Sequence, residues 1–174
     1  MTATPRLNYI AYDAFVADVQ AIAKLIEADS WVPDFIVGIG RGGLVPGAYL
    51  SHRTNIPMLS VDYSAKVAGF ADELLVKLAG MSVAGQRILF VDDINDSGAT
   101  LAYLRASILS HGGVAENQRF AVLINNARSR ATVEYSSRQI DRNVDKDWFV
   151  FPWESVAPSA ALVEEALSVP ERLA

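Results

Sequence analysis

Apolar residues along this chain fall into two patterns, one at helical spacing and one in short unbroken runs. Helical spacing predicts a helix over residues 13–29, with Asp13 as its cap, and we also predict helices over residues 44–53, 98–110 and 160–167. The apolar runs are typical of buried parallel strands and predict strands over residues 35–39, 56–61, 86–92 and 120–124, and residues 133–140 and 148–151 are short candidate strands. Residues 62–80 follow neither pattern clearly, and we interpret them as partly helical and partly mobile.

The alternation of predicted strands and helices indicates an α/β fold with a parallel sheet flanked by helices. The 174 residues carry no internal repeat, no low-complexity tract and no convincing linker, so we predict a single domain over residues 1–174. In sheets of this kind ligands bind beyond the carboxyl ends of the strands. That rule directs attention to the loops that follow residues 39 and 92.

Composition excludes several classes of protein. Hydrophobic content of 51% and charged content of 20% are typical of a globular protein, and the net charge of −5 disfavours a nucleic-acid partner. The absence of cysteine excludes disulfides and thiolate chemistry, and two histidines are too few for a histidine-rich metal site. With no signal peptide and no apolar run near about 18 residues, we expect a cytoplasmic protein with no membrane partner.

The segment 88–101, ILFVDDINDSGATL, combines two kinds of chemistry at one strand end. Asp92 and Asp93 follow four apolar residues, and paired carboxylates can accept hydrogen bonds from adjacent ribose hydroxyls. Residues 97–100 open the next helix, where free N–H groups and hydroxyls can bind a phosphate. Asp96 lies between them and can accept a proton or stabilise a developing cation. Phosphoribosyl diphosphate is the main ligand that needs both sites; an ordinary helix start flanked by acids is the alternative.

This segment resembles the phosphoribosyl diphosphate signature of the type I phosphoribosyltransferases, and it meets every fixed position of that signature. The resemblance implies that Asp92 and Asp93 hold the ribose hydroxyls. It implies that Asp96 is the catalytic residue near the base, and that the 5′-phosphate is wrapped by Asp96, Ser97, Gly98, Ala99 and Thr100. It also implies a core over about residues 33–130 and a small hood of C-terminal strands over about 131–155, with an N-terminal contribution.

Gly40-Arg41-Gly42-Gly43 follows one predicted strand and precedes a predicted helix. Tight packing explains many glycine-rich turns, but an arginine within the turn suits the oxygens of a diphosphate. The wider segment 36–50, IVGIGRGGLVPGAYL, resembles the diphosphate-binding loop of the purine branch of the family, most closely the bacterial xanthine-guanine type. The resemblance implies that Arg41, Gly42 and Gly43 bind diphosphate, with a non-proline cis peptide around Gly40-Arg41.

The segment 147–154, DWFVFPWE, resembles the base-binding end of the purine phosphoribosyltransferases. In isolation its aromatic residues could equally be core. The resemblance implies that Trp148 stacks on the base and that Phe149 lines the edge of the base. Glu154 is then the acid near the diphosphate and the metal.

The resemblance fails at one position that bears on the choice of base. Purine enzymes of the family commonly carry a lysine where this chain has Asn126, and that lysine reads the exocyclic oxygen at C6. An asparagine can donate to a carbonyl or accept from an amino group, so Asn126 could bind the base with a different preference. Arg128 or Arg130 could compensate for the missing lysine.

The residues from Tyr63 to Gly80 take the place of the family's flexible catalytic loop, in which Ser64 and Lys66 are candidate contacts. Such loops close over the reacting centre and exclude water, although an ordinary solvated helix is an equal alternative. This expectation rests on position in the chain alone.

The implied reaction is transfer of the phosphoribosyl group from phosphoribosyl diphosphate to a purine, specifically a 6-oxopurine, in purine salvage. The implied cofactor is Mg²⁺, held mainly by the substrate, with Glu154 as a direct ligand and Asp92 and Asp93 acting indirectly. The family resemblance also suggests a homodimer or homotetramer. A phosphoribosyltransferase for another base and a non-catalytic nucleotide-sensing regulator of the same fold remain alternatives.

Overall fold

The computed structural model describes residues 5–62 and 72–169, and its centre is a parallel sheet with strand order β3-β2-β4-β5-β6. Helices pack on both faces of this sheet, which confirms the predicted α/β fold. The strands are β1 (Leu7–Tyr9), β2 (Phe35–Ile39), β3 (Met58–Val61), β4 (Ile88–Asn95), β5 (Gln118–Asn126), β6 (Tyr135–Ile140) and β7 (Trp148–Val150). The helices are α1 (Tyr12–Ala28), α2 (Gly40–Thr54), α3 (Asp72–Val83), α4 (Ala99–Ser110) and α5 (Ser159–Leu167).

Two apolar clusters form the core, one on each face of the sheet. Along β4, Leu89 and Val91 pack in the cluster that contains α1, whereas Ile88 and Phe90 pack in the cluster that contains α3 and α4. This division follows from the strand itself, because successive side chains point to opposite faces. The apolar run before the acids therefore anchors β4 on both faces and fixes the place where the acids emerge.

A second, two-stranded sheet lies apart from the main one and joins the two ends of the chain. β1 pairs in parallel with β7, with Leu7 opposite Trp148. The side chains of Arg6 and Asn8 both donate to the carboxylate of Asp147, just before β7. Within the segment expected to form the hood, β6 instead pairs with β5 as the edge strand of the main sheet. Only β7 of that segment joins the small sheet.

Several element boundaries differ from the sequence prediction. β4 continues through the acids to Asn95, because it pairs with β5 as far as Asn95 opposite Asn125. Helix α2 begins at Gly40 rather than at residue 44, so the glycine-rich turn is the first turn of the helix. The cap of α1 is Ala11, which makes no side-chain capping bond, so the prediction of Asp13 is wrong. The expected cis peptide is absent, since the Gly40–Arg41 bond is trans.

Helix α3 accounts for the helical part of the excursion predicted over residues 62–80. Ser64 and Lys66, the candidate contacts of a catalytic loop, lie outside the described residues. In the described ranges, no helix has the length and apolar character needed to cross a membrane.

Candidate functional site

The carboxyl ends of β2 and β4 open into a cavity of about 640 Å³. Its walls are completed by the first turns of α2 and α4, the loop after β6, strand β7 with the residues that follow it, and helix α5. The predicted site residues that border it are Arg41, Gly42, Asp92, Asp93, Asp96, Thr100, Trp148, Phe149 and Glu154. Segments separated by more than 100 positions in the chain therefore meet at one cavity.

Asp92 and Asp93 lie in the C-terminal half of β4 and border the cavity. Asp92 Oδ1 accepts from the main-chain N–H of Asp93 at 3.0 Å, and Asp93 Oδ1 accepts from the N–H of Ile94 at 2.6 Å. Each carboxylate is thereby oriented by the next main-chain N–H group. Both side chains are half-buried, so each lies at the boundary between the strand and the cavity.

The start of α4 provides main-chain donors next to these acids. Gly98 is the N-cap with a φ of 81°, and a Cβ there would lie 2.6 Å from both Ala131 N and Ser129 Oγ. Glycine is required at this position for two reasons. Other residues rarely adopt this φ, and the neighbouring atoms leave no room for a side chain. Ser97 Oγ accepts from Ala99 N at 3.3 Å, and Thr100 reaches the cavity wall. Free N–H groups in a first helical turn favour an anion.

The first turn of α2 lies directly on β4. A Cβ at Gly43 would be 2.0 Å from the carbonyl oxygen of Val91, and one at Gly42 would be 2.5 Å from Asp93 Oδ2. These two glycines allow the helix start to approach the acids closely. Arg41 and Gly42 border the cavity, whereas Gly43 is buried in the helix–strand contact.

Four aromatic residues also border the cavity. Trp148 and Phe149 lie in β7, and Phe151 and Trp153 follow it, stacked on each other with ring centres 4.9 Å apart. Trp153 Nε1 is the single buried side-chain nitrogen or oxygen without a hydrogen-bond partner in the described part of the chain. These rings therefore give the cavity flat apolar surfaces.

Arg142, which no sequence motif indicated, forms a buried ion pair with Asp96. Arg142 Nε donates to Asp96 Oδ1 and Oδ2 at 3.0 and 3.1 Å, and its Nη2 donates to Oδ2 at 2.7 Å. The two side chains are only 9% and 3% exposed. Removing one partner from such a pair usually costs about 3–5 kcal/mol, because the other charge is left buried. No local pattern reveals this pair, since its partners are 46 positions apart.

Asn126 lies behind this ion pair rather than on the cavity wall. Its Nδ2 donates to the main-chain oxygen of Asp96 at 3.1 Å, and its Oδ1 accepts from the N–H groups of Arg128 and Arg142 at 3.1 and 3.3 Å. Asn126 is 6% exposed, and its amide hydrogen-bonds to the main chains of both Asp96 and Arg142. Arg128 pairs with Asp141, and this guanidinium lowers the pKa of the Asp141 carboxyl. Contact of Asn126 with a base stays a prediction.

Glu154 borders the cavity near Arg41. Burial raises the pKa of its carboxyl; a hydrogen bond from Phe151 N at 2.9 Å opposes this shift, Glu165 adds to it, and Arg41 opposes it. Glu165 belongs to α5, which closes this side of the cavity and to which the sequence analysis gave no role. The sequence predicts this helix over residues 160–167, but nothing in its composition indicates which surface the helix covers.

The donors at this cavity suit a magnesium ion that keeps most of its ligands from substrate and water. Asp92, Asp93 and Glu154 are the carboxylates that we predicted near a metal, and all three border the cavity. No cluster of three or more metal-binding side chains occurs within residues 5–62 and 72–169. Magnesium commonly binds through one or two carboxylates together with phosphate oxygens, so the residues fit a metal that arrives with its ligand.

The chain is similar in sequence and in fold to known proteins. The sequence model of the phosphoribosyl transferase domain matches residues 8–157. A purine phosphoribosyltransferase from Pyrococcus horikoshii is 25% identical, with a TM-score of 0.64 over 87% of this chain and 96% of that one. The xanthine-guanine-hypoxanthine phosphoribosyltransferase of Helicobacter pylori is 20% identical, with a TM-score of 0.62 over 86% and 94% of the two chains. A hypothetical protein from Neisseria gonorrhoeae with bound ppGpp is 20% identical, with a TM-score of 0.67 over 97% and 98%.

Proposed function

Because the chain belongs to the phosphoribosyl transferase family, we propose that it transfers the 5-phosphoribosyl group of phosphoribosyl diphosphate to a 6-oxopurine. The acceptor would be hypoxanthine, guanine or xanthine, and the products a nucleoside monophosphate and diphosphate. The chain is a glycosyltransferase with the fold of the purine phosphoribosyltransferases. The observation that carries the proposal is one cavity bordered by the paired acids, a helix start, an arginine and aromatic rings.

The ribose and its 5′-phosphate would bind at the end of β4 and the start of α4. Asp92 and Asp93 would accept hydrogen bonds from the two ribose hydroxyls, as half-buried carboxylates bordering the cavity can. The N–H groups and hydroxyls of residues 97–100 would bind the phosphate with the help of the helix dipole. Each hydrogen bond to a charged group contributes about 1.5–3 kcal/mol.

The diphosphate would bind beside Arg41 and the first turn of α2, where Gly42 and Gly43 bring main-chain groups close to β4. Glu154 would help to hold a magnesium ion that arrives with the substrate, and the ion would neutralise charge on the diphosphate. Arg41, exposed at the cavity edge, adds a fixed positive charge on the same side.

In the reaction, the bond from ribose C1 to diphosphate breaks, with its electrons leaving on the diphosphate. A ring nitrogen of the base forms the new bond to C1, and the base loses a proton. The transition state resembles an oxocarbenium ion, so the protein acts mainly through positioning and electrostatics. Asp96 would accept the purine N7 proton. Since Arg142 already donates to both oxygens of Asp96, this requires the Asp96 carboxylate to shift relative to the guanidinium when the base binds.

The base would lie against Trp148 and Phe149, which both border the cavity. Stacking of a base on an aromatic side chain contributes on the order of 1–3 kcal/mol. The ring contacts select a flat heterocycle, but they do not select among purines.

The experiment is diphosphate release from phosphoribosyl diphosphate and Mg²⁺ with hypoxanthine, guanine, xanthine, adenine, uracil and orotate in parallel. The proposal expects turnover with at least one of the first three bases and much slower turnover with the others. Turnover with a pyrimidine alone would establish the alternative of a phosphoribosyltransferase for another base.

A non-catalytic nucleotide-sensing regulator is the second candidate. The observation in its favour is the ion pair, because an acid whose two oxygens already accept from an arginine is poorly placed to take a proton. The fold neighbour from Neisseria gonorrhoeae carries bound ppGpp, and that ligand is the natural probe. Tight ppGpp binding without turnover of any base would favour the regulator.

We further propose that the protein acts in the cytoplasm as a homodimer or homotetramer, as the resemblance to its family suggests. Light scattering of the purified protein at several concentrations gives the oligomeric state directly. A monomer at every concentration would exclude it.

A further inference from the structure

Arg142 is a buried cation at the acceptor end of the cavity that the proposed mechanism does not use. It borders the cavity together with Asp96 and Phe149, and its guanidinium lies 5.3 Å from the centre of the Phe149 ring. Its N–H groups donate to Asp96 and to the carbonyls of Asp145 and Asp147, the last at 2.6 Å. One N–H of Nη2 has no protein acceptor among the residues that the structure describes.

We propose that Arg142 selects the acceptor by donating a hydrogen bond to an exocyclic oxygen of the base beside the ring N–H that Asp96 accepts. This inference rests on the proposed function and names the group that decides between bases. The cation comes from the loop after β6, not from the end of β5, where the family resemblance places the residue that reads this oxygen.

The bonds of Asn126 support this assignment. Both functional groups of its amide are used within the protein, the Nδ2 on Asp96 and the Oδ1 on the N–H groups of residues 128 and 142. A side chain committed in this way acts through its neighbours. Asn126 is therefore a positioning residue for Asp96 and Arg142.

The pair of Asp96 and Arg142 presents an acceptor beside a donor. A 6-oxopurine offers the complementary set, since its N7–H donates and its O6 accepts. A 6-aminopurine offers two donors, and arginine neither accepts a hydrogen bond nor loses its proton in proteins. The amino group of adenine would therefore face a guanidinium N–H with no partner. Sites that leave a buried polar group unpaired reject the wrong substrate strongly.

The surroundings of Arg142 keep its guanidinium in place. Two carbonyls of its own loop accept from Nη1, and the Phe149 ring packs against its face. Asp147, which supplies one of these carbonyls, is itself tied to the N-terminal strand by Arg6 and Asn8. A donor held from three sides loses little freedom when a ligand binds, which favours discrimination between bases.

The test compares kcat/KM for hypoxanthine and adenine in the wild type, Arg142→Gln and Arg142→Lys. We expect the wild type to prefer hypoxanthine by at least about 100-fold. In Arg142→Gln the ratio should fall below about tenfold, because glutamine also accepts from an amino group. Arg142→Lys keeps a charged donor and should retain most of the preference. A ratio in Arg142→Gln within about threefold of the wild type would overturn the inference.

Arg105→Gln is the matched control. Arg105 also pairs with a carboxylate, that of Glu134 at 3.0 Å, and also lies over a phenylalanine ring, that of Phe120 at 4.5 Å. It does not border the cavity. We expect this variant to keep the wild-type ratio, so a loss of preference in Arg142→Gln alone separates recognition from a general effect of removing an arginine.

Calorimetric titration with phosphoribosyl diphosphate and Mg²⁺ separates the inference from the proposed function. Arg142→Gln, whose stability is checked first by urea denaturation, should still bind this substrate, since the change lies at the acceptor end, and Arg142→Lys shows how much of any loss of affinity follows from losing the charge. If no base is turned over, the proposed function fails, and affinities for inosine and adenosine monophosphate in the wild type and Arg142→Gln test the inference instead. A loss of preference for the inosine nucleotide supports it. Equal affinities in the wild type, or no nucleotide binding, overturn it.

Discussion

The two ends of the cavity differ in how the chain builds them. The proposed ribose-phosphate end comes from one continuous segment, in which strand β4 carries Asp92 and Asp93 directly into the start of α4. The proposed acceptor end is assembled from distant segments, since Asp96 meets Asn126 30 positions later and Arg142 46 positions later. The first end is therefore specified by local geometry, and the second by how the loop after β6 folds back over the sheet.

Burial differs between the ends as well. Asp92 and Asp93 are half-buried, whereas the side chains of Asp96 and Arg142 are 3% and 9% exposed. Neutralising an acid at the ribose-phosphate end should therefore affect ligand binding more than folding. At the acceptor end the same change should affect both, because an unpaired buried charge is costly. Four variants test this contrast.

Asp96→Ala should have the largest effect, because it leaves Arg142 buried without its partner. We expect the free energy of unfolding to fall by about 3–5 kcal/mol, measured by urea denaturation. The double variant Asp96→Ala with Arg142→Met removes both charges and should recover most of the loss. A loss in the double variant equal to that in Asp96→Ala would contradict the role of the ion pair.

Asp93→Asn should weaken binding at the other end while leaving the fold intact. The amide oxygen can still accept from Ile94 N, so stability should change by less than about 1 kcal/mol. The affinity for phosphoribosyl diphosphate should fall by about 10- to 150-fold, equivalent to the roughly 1.5–3 kcal/mol of a charged hydrogen bond. Scanning calorimetry gives the change in stability, and titration calorimetry gives the change in affinity. The ratio of kcat/KM values for hypoxanthine and adenine should stay unchanged. Unaltered affinity would mean that Asp93 does not contact the ribose.

Gly43→Ala tests the contact that brings α2 onto β4. A Cβ there would lie 2.0 Å from the Val91 carbonyl oxygen, so helix or strand must move. We expect a loss of about 1–3 kcal/mol in the free energy of unfolding, together with weaker diphosphate binding. Gly80→Ala is the control, because nothing lies within 4 Å of its Cβ position in helix α3, and it should be neutral or slightly stabilising. Equal stabilities for the two variants would exclude close packing at Gly43.

Glu154→Gln should have the smallest effect on the free energy of unfolding, and this effect should depend on pH. Burial raises the pKa of Glu154 above 4.5, so the folded protein holds this proton more tightly than the unfolded chain. The stability from this proton is fully present below pH 4.5 and is lost as the pH rises through the folded pKa. Glutamine stays neutral, so the variant should gain stability relative to the wild type as the pH rises. Urea denaturation of both proteins at acidic and neutral pH checks this, and a constant difference would contradict it.

The sequence predicted the α/β fold and the family because both depend on local patterns. The apolar run before Asp92 and the glycine and hydroxyl residues after Asp96 lie within one segment of 14 residues. Their spacing is enough to indicate a strand, a turn and a helix in that order. Several boundaries of helices and strands differed from the prediction by a few residues. Strand β4, for example, continues as far as Asn95 because it pairs with β5.

The acceptor end could not be predicted in the same way. Arg142 lies in a polar stretch, DRNVDKD, which reads as an ordinary solvated loop. Its role depends on burial against Phe149 and on a contact across 46 positions. Asn126 stood at the position that the family resemblance singled out, yet its amide turns toward Asp96 behind the cavity wall. The direction of a side chain at a strand end depends on its neighbours, and no spacing rule supplies that.

The most direct test of the account is one assay of nucleotide formation from phosphoribosyl diphosphate and Mg²⁺ with hypoxanthine or adenine, on wild-type protein. The account predicts inosine monophosphate and diphosphate in equal amounts, with kcat/KM for hypoxanthine at least about 100-fold above that for adenine. Binding of phosphoribosyl diphosphate without turnover of either base, or of guanine or xanthine in the same assay, would contradict the proposed reaction. Equal turnover of the two bases would support the proposed transferase reaction and would contradict the selection of the base by Arg142.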